Sequence, residues 1–176
     1  KTKRNQMMKG KCLEHEIDVW AEKDNTHYLI EAKYHNEYKI KTPLDVVMYA
    51  DARLMDIEKY QSKKEGYKNT HKMWVVTNTK FTDKSIRYAK CKNIRLLSWK
   101  YSTDKKNLYE MIVEKNLYPI TIIPSLTKFA REELTQKNII LASDLIRYSV
   151  FDLQKRFKLS KSTASRIFSD VKEILG

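Results

Sequence analysis

Asp18, Glu31 and Lys33 are the residues whose types and spacing suggest chemistry. They fall in Ile17-Asp18-Val19 and Tyr28-Leu29-Ile30-Glu31-Ala32-Lys33, where charged and apolar residues alternate as in half-buried strands. Lys23-Asp24-Asn25-Thr26 between them is a polar turn signal. A hairpin centred between Asp24 and Asn25 makes residues whose numbers sum to 49 face each other. Ile17 then pairs with Ala32, Val19 with Ile30 and Ala21 with Tyr28, as one continuous apolar face. On the other face Asp18 falls opposite Glu31, and Glu16 falls opposite Lys33 as its expected salt-bridge partner. Directly opposed side chains lie about 5 Å apart at Cβ, where like charges destabilise. Two facing carboxylates with a lysine beside them therefore suit a cation site. Hard oxygen ligands of this kind select Mg²⁺ or Mn²⁺ over zinc.

An Asp on one strand and Glu-x-Lys on the next resembles the PD-(D/E)xK nuclease superfamily. His15-Glu16-Ile17-Asp18-Val19 through Glu31-Ala32-Lys33-Tyr34-His35 is most similar to its Mrr-type restriction endonuclease branch. The likeness runs through residues 3–100. It implies Mg²⁺ held by Asp18 and Glu31 with help from the Ala32 carbonyl, and Lys33 orienting or activating the attacking water. It also implies DNA as substrate, with Glu16 and His35 flanking the set and His35 within reach of the phosphate. Hydrolysis of a phosphodiester needs a metal to neutralise phosphate charge and lower the pKa of water, which fits these residue types. The superfamily core opens with a helix that this chain does not carry before its first strand. With Lys1 as first residue, a fragment of a longer protein is expected, and in similar proteins an ATP-cone regulatory domain can precede this point.

Composition agrees with a polyanionic partner. Lys and Arg number 35 against 22 Asp and Glu, a net charge of +13, more than solubility needs. At 41% hydrophobic residues the chain is globular rather than disordered. No apolar run approaches the roughly 20 residues of a membrane span, so a cytoplasmic location is expected. Cys12 and Cys91 match no metal spacing and read as reduced thiols.

The elements that must position the site follow from pattern and punctuation. Residues 3–13 read as a first strand with Gly10 near a turn, followed by strands at about 14–22 and 27–34. Thr42 as N-cap and Pro43 at the first helical position open a helix from Leu44 to Tyr60. Its apolar residues exceed one stripe, which points to a sheet contact and a homodimer contact. Residues 61–72 are a basic loop, in which Lys63 and Lys64 are candidate DNA contacts. Met73 to Thr77, a Thr82-capped helix to Lys92 and Ile94 to Trp99 make a βαβ crossover. A helix over 108–115 leads to Pro119 and Pro124, which bracket a short apolar run. The fold class expected is α/β, a restriction-endonuclease-like mixed sheet flanked by helices over residues 1–120. A small all-α domain follows over 121–176.

That tail reads as short helices capped by Ser125, Ser143, Ser149 and Ser160. Phe157-Lys158-Leu159-Ser160-Lys161-Ser162-Thr163-Ala164 resembles helix-hairpin-helix modules, which bind nucleic-acid backbones without reading sequence. Free N–H groups at the helix start, flanked by Lys161, Ser162 and Thr163, suit a phosphate oxygen. That family usually places a glycine near Lys158, and this chain has none. The sequence as a whole reads as a Mg²⁺-dependent DNA endonuclease with a helical DNA-binding appendage. Two alternatives stand beside it: a DNA-binding or regulatory module on a nuclease-like fold, inactive or gated by a missing N-terminal domain, and a nuclease directed at RNA.

Overall fold

The computed structural model describes residues 1–37, 39–63 and 68–176. The chain divides into two compact units, Lys1–Tyr109 and Glu110–Gly176. Among the described residues no helix is long and apolar enough to cross a membrane.

The first unit is a mixed α/β unit. Its strands and helices are β1 (Thr2–Lys9), β2 (Glu14–Lys23), β3 (Thr26–Lys33), β4 (Lys41–Thr42), α1 (Leu44–Gln61), β5 (Thr70–Thr77), β6 (Lys80–Phe81), α2 (Asp83–Cys91), β7 (Arg95–Ser98) and β8 (Tyr101–Ser102). Six strands form one sheet in the order β1-β2-β3-β5-β7-β8. The β1-β2-β3 meander is antiparallel, whereas β3, β5 and β7 run parallel. The expected crossover is present, with β5, α2 and β7 in parallel register from Trp74↔Arg95 to Thr77↔Ser98. α1 and α2 pack with Ile17, Trp20, Leu29, Met73, Val75 and Leu96 as the core of this unit.

The hairpin register is as the sum rule requires: Val19 pairs with Ile30, Ala21 with Tyr28 and Lys23 with Thr26. The single continuous apolar face is not. The β1-β2 ladder pairs Arg4 with Val19 and Gln6 with Ile17 but passes over Asn5 and Asp18, and Asn5 has a left-handed φ of 50°. This shared kink reverses the in-out alternation of β2. Ile17 and Trp20, three residues apart, therefore both reach the core, while Val19 and Ala21 are only half-buried. The Trp20–Leu29 row lies in the core with α1, so the row that continues from it through Glu31 also faces that helix. Tyr28, Ile30, Trp74 and Arg95 line a cavity of about 1000 Å³ on the opposite sheet face, away from the carboxylates.

One local expectation changes with tertiary contacts. Pro43, not Thr42, is the N-cap of α1, and no side chain caps that end. Thr42 is fully buried and spends its hydroxyl on Thr77 (3.1 Å) and His35 (3.0 Å) instead. Gly10 lies at a turn as expected, its N–H donating to the Leu13 carbonyl (2.8 Å), and close packing requires it. A β-carbon there would collide with the Asp56 carboxylate, which accepts from the Cys12 N–H (3.0 Å) and meets His15 Nε2 (2.9 Å).

The second unit is helical, with α3 (Leu108–Lys115) spanning the division and α4 (Lys128–Gln136), α5 (Val150–Phe157) and α6 (Lys161–Leu175) following. Leu134, Leu145, Leu153, Phe157 and Ile167 are its fully buried centre. Thr127 rather than Ser125 caps α4, its hydroxyl accepting from the Ala130 N–H (3.1 Å), while the Ser125 N–H donates to Asp170 (2.9 Å). Ser149 and Ser160 cap α5 and α6 as expected. Between those helices Lys158 takes the left-handed conformation itself (φ 52°), so the turn closes without glycine.

Candidate functional site

The site is built where β2 leaves β3. Their ladder stops at Val19↔Ile30, one residue short of the Asp18–Glu31 pair. There the Ala32 N–H donates to Asp18 Oδ2 at 2.7 Å. A carboxylate of β2 thus replaces the next backbone rung and is fixed beside the Glu31-Ala32-Lys33 segment.

Glu31 is half-buried, its side chain 22% exposed. Burial pushes its carboxyl above the ordinary range. Arg53 opposes that shift, Asp18 adds to it through like-charge repulsion, and Lys33 opposes it more weakly. Asp18 and Lys33 thus both act electrostatically on the Glu31 carboxyl. Lys33 is exposed and lies in register with Thr77, which in turn lies in register with Ser98. Those neighbours are nearly inaccessible, and Ser98 Oγ has no hydrogen-bond partner among the described residues.

The residue that sequence reasoning missed is Arg53. From α1 its Nη1 forms an ion pair with Glu31 Oε2 and donates to the Glu16 carbonyl (3.3 Å). Its guanidinium carbon lies 4.5 Å from the centre of the Tyr49 ring, a cation–π contact one helical turn away. A signal was present: Arg53 is the sole basic residue of α1 before the last turn of that helix.

Other expected residues are distributed differently. Glu16 does not pair with Lys33. The β2-β3 ladder has ended before it, it lies in register with Met7 of β1, and its carbonyl accepts from Arg53. His35 is tied by its ring to Thr42 and by its backbone to Asn78, whose side chain bonds both the His35 N–H (2.8 Å) and carbonyl (2.7 Å). Lys63 is exposed just past α1, and Lys64 lies outside the described residues. In the second unit Lys161 and Ser162 are exposed at the start of α6, while Thr163 is half-buried, its N–H held by Ser160 Oγ (3.1 Å).

The donors near Asp18 are carboxylate and carbonyl oxygens, the chemistry a hard divalent ion takes. Among the described residues no group of three or more His, Cys, Asp and Glu converges, and the oxygen donors at hand are the Asp18 and Glu31 carboxylates. Two carboxylates that repel each other, one raised by burial, gain most from an added positive charge. Arg53 already supplies part of that charge to Glu31, so an ion and the guanidinium would share one carboxylate.

A family model described as AF1548-like, C-terminal, matches residues 118–175. An uncharacterized protein of Archaeoglobus fulgidus is 34% identical over 175 residues, covering 99% of this chain and 94% of that one. A crystal structure described as the protein of unknown function AF1548 superimposes with a TM-score of 0.79 at 34% identity, over 100% of this chain and 89% of that one. The chain belongs to the AF1548-like family.

Proposed function

We propose that the chain is a Mg²⁺-dependent endonuclease hydrolysing DNA phosphodiester bonds, of the Mrr-like restriction type on a PD-(D/E)xK nuclease fold. The observation that carries the reading is Asp18 fixed on the Ala32 N–H beside Glu31 and Lys33. Asp18 and Glu31, with the Ala32 carbonyl, would hold the ion, and Mn²⁺ would serve in its place. When bound, such an ion neutralises phosphate charge and lowers the pKa of its water. Lys33 brings an ammonium to the same edge, where it can orient that water or stabilise charge on a phosphate oxygen. Glu31 must loosen its pair with Arg53 to bind the ion, and Arg53 is then placed to meet a phosphate.

DNA is the proposed partner because the chain carries +13 and duplex affinity rests on neutralised phosphates. A homodimer through α1 is also proposed. Met48, Tyr49 and Met55 on that helix are 47%, 60% and 43% exposed, more apolar surface than a solvated helix needs. One observation favours the second reading, a gated or inactive nuclease-like module: the Arg53–Glu31 pair occupies a proposed metal ligand.

Nicking of supercoiled plasmid tests the proposal. The endonuclease reading requires open-circle product with Mg²⁺ or Mn²⁺ and none with EDTA. Duplex binding without cleavage under any divalent ion would replace it with the gated-module reading.

A further inference from the structure

The cavity on the sheet face opposite the carboxylates is built for a ligand of two chemistries. Ile30, Trp74 and Arg95 lie in register across three parallel strands and form its floor, with Tyr28 beside them. Tyr28 and Trp74 meet edge to face, ring centres 5.5 Å apart. The Arg95 guanidinium carbon lies 4.1 Å from the centre of the Trp74 ring. All four residues are half-buried rather than sealed in the core. Aromatic rings and a flat guanidinium are the surfaces on which nucleobases stack. The volume of about 1000 Å³ is at the top of the roughly 300–1,000 Å³ range of small-molecule sites.

Arg95 has donors to spare. Its Nε is buried with no hydrogen-bond partner among the described residues, and its Nη1 lies 3.4 Å from Asp104 Oδ2. That contact is long beside the about 2.7–2.9 Å of a charge-assisted bond. Asp104 is 57% exposed and can give way to another acceptor. A buried donor without a partner marks an acceptor still to be supplied. Exposed Lys23, Lys72 and Lys90 also line the cavity, so that with Arg95 its cations outnumber Glu22 and Asp104. Asn93 at the end of α2 and Thr103 after β8 wall it on two sides. Thr103 Oγ1 accepts the Leu96 N–H at 3.1 Å, which leaves its own O–H as a donor for a base edge.

An acidic peptide would match the lysines and leave the ring platform unused. An apolar ligand would cover the rings and strand the cations. A planar heteroaromatic ring joined to an anion matches both, and walls on two sides favour a free ligand over a threaded strand. We infer that this cavity binds a nucleoside 5′-phosphate, its base against Tyr28, Trp74 and Arg95 and its phosphates among Lys23, Lys72 and Lys90. The inference does not rest on the endonuclease reading, whose residues lie on the other sheet face.

Calorimetric titration of the full chain in EDTA tests it, with ribonucleoside 5′-monophosphates and 5′-triphosphates as probes. Inorganic triphosphate, the free nucleosides and a single-stranded oligonucleotide are titrated beside them. One site per chain is expected, tighter for at least one nucleotide than for inorganic triphosphate or the matching nucleoside. Trp74→Leu should weaken that nucleotide about tenfold or more. Lys72→Glu with Lys90→Glu, both exposed positions, should weaken it similarly with circular dichroism unchanged, and more so at low salt. Asp18→Asn should leave it unaltered. Inorganic triphosphate binding as tightly as every nucleotide, or full affinity in the double lysine variant, overturns the inference. So does binding of the oligonucleotide with none of any free nucleotide.

Discussion

Replacing Arg53 by alanine separates what this residue does for folding from what it does to the carboxylates. Glu31 is raised by burial and by Asp18, and Arg53 is the largest opposing influence. Without the guanidinium the Glu31 carboxyl should rise further, so that holding it ionised in the folded state costs more. Truncating one partner of a fully buried pair costs about 3–5 kcal/mol, whereas exposed pairs are worth about 0–1 kcal/mol. The two side chains are 18% and 22% exposed, and Glu31 can escape by protonating. A solvent-screened loss of about 1–2 kcal/mol at pH 8 is therefore expected. A raised carboxyl keeps its contribution below the ordinary carboxylate value and loses it as pH rises through the folded value. The destabilisation by Arg53→Ala should accordingly be smaller at pH 4 than at pH 8, leaving mainly the lost Tyr49 and Glu16 contacts. Urea unfolding followed by tryptophan fluorescence reports this, since Trp20, Trp74 and Trp99 all lie in the first unit. The pH-dependent part should vanish in a Glu31→Gln background. A loss equal at both pH values, or a pH dependence that survives Glu31→Gln, refutes the electrostatic reasoning.

Three further outcomes follow from single contacts. Asp18→Ala strands the Ala32 N–H and should cost about 1 kcal/mol, whereas Asp18→Asn retains an acceptor and should unfold at nearly the parent urea concentration. Gly10→Ala forces the Asp56 carboxylate off the 10–13 turn and should cost about 1–3 kcal/mol by the same fluorescence assay. His71, depressed to about 4 by burial and by His27 at 3.4 Å, favours the folded state above its ordinary value of 6.5. Stability should fall as pH drops from 6.5 towards 4, and urea midpoints for His71→Gln should show a shallower slope in that window.

The part of this fold that was legible in sequence is local or strictly periodic. Turn residues at Asp24-Asn25 set the hairpin register, and both take left-handed conformations there. Thr82, Ser149 and Ser160 mark helix starts because a hydroxyl three residues before an N–H has few competing uses. Thr42 failed as a cap for the opposite reason, since Thr77 and His35, distant or off-pattern in sequence, claimed its hydroxyl. The apolar face failed at Asn5 and Asp18. Strand alternation is a period-two rule, and one kink shared by two strands reverses it without changing their register. Asp18 stays beside the Glu31-Ala32-Lys33 segment because the Ala32 N–H bonds its side chain where the ladder ends. Arg53 was invisible to strand reasoning because it arrives from a helix 22 residues after Glu31.

The assignment of hydrolysis to Asp18, Glu31 and Lys33 is tested most directly by one parallel measurement. Initial rates of Mg²⁺-dependent plasmid nicking are compared for the parent, Asp18→Asn, Glu31→Gln and Lys33→Ala, beside duplex affinity at matched salt. The account predicts nicking reduced at least about a hundredfold in all three, as for loss of a group acting on transition-state charge, with duplex affinity within a few-fold of the parent. Cleavage at the parent rate by any one of them would contradict it.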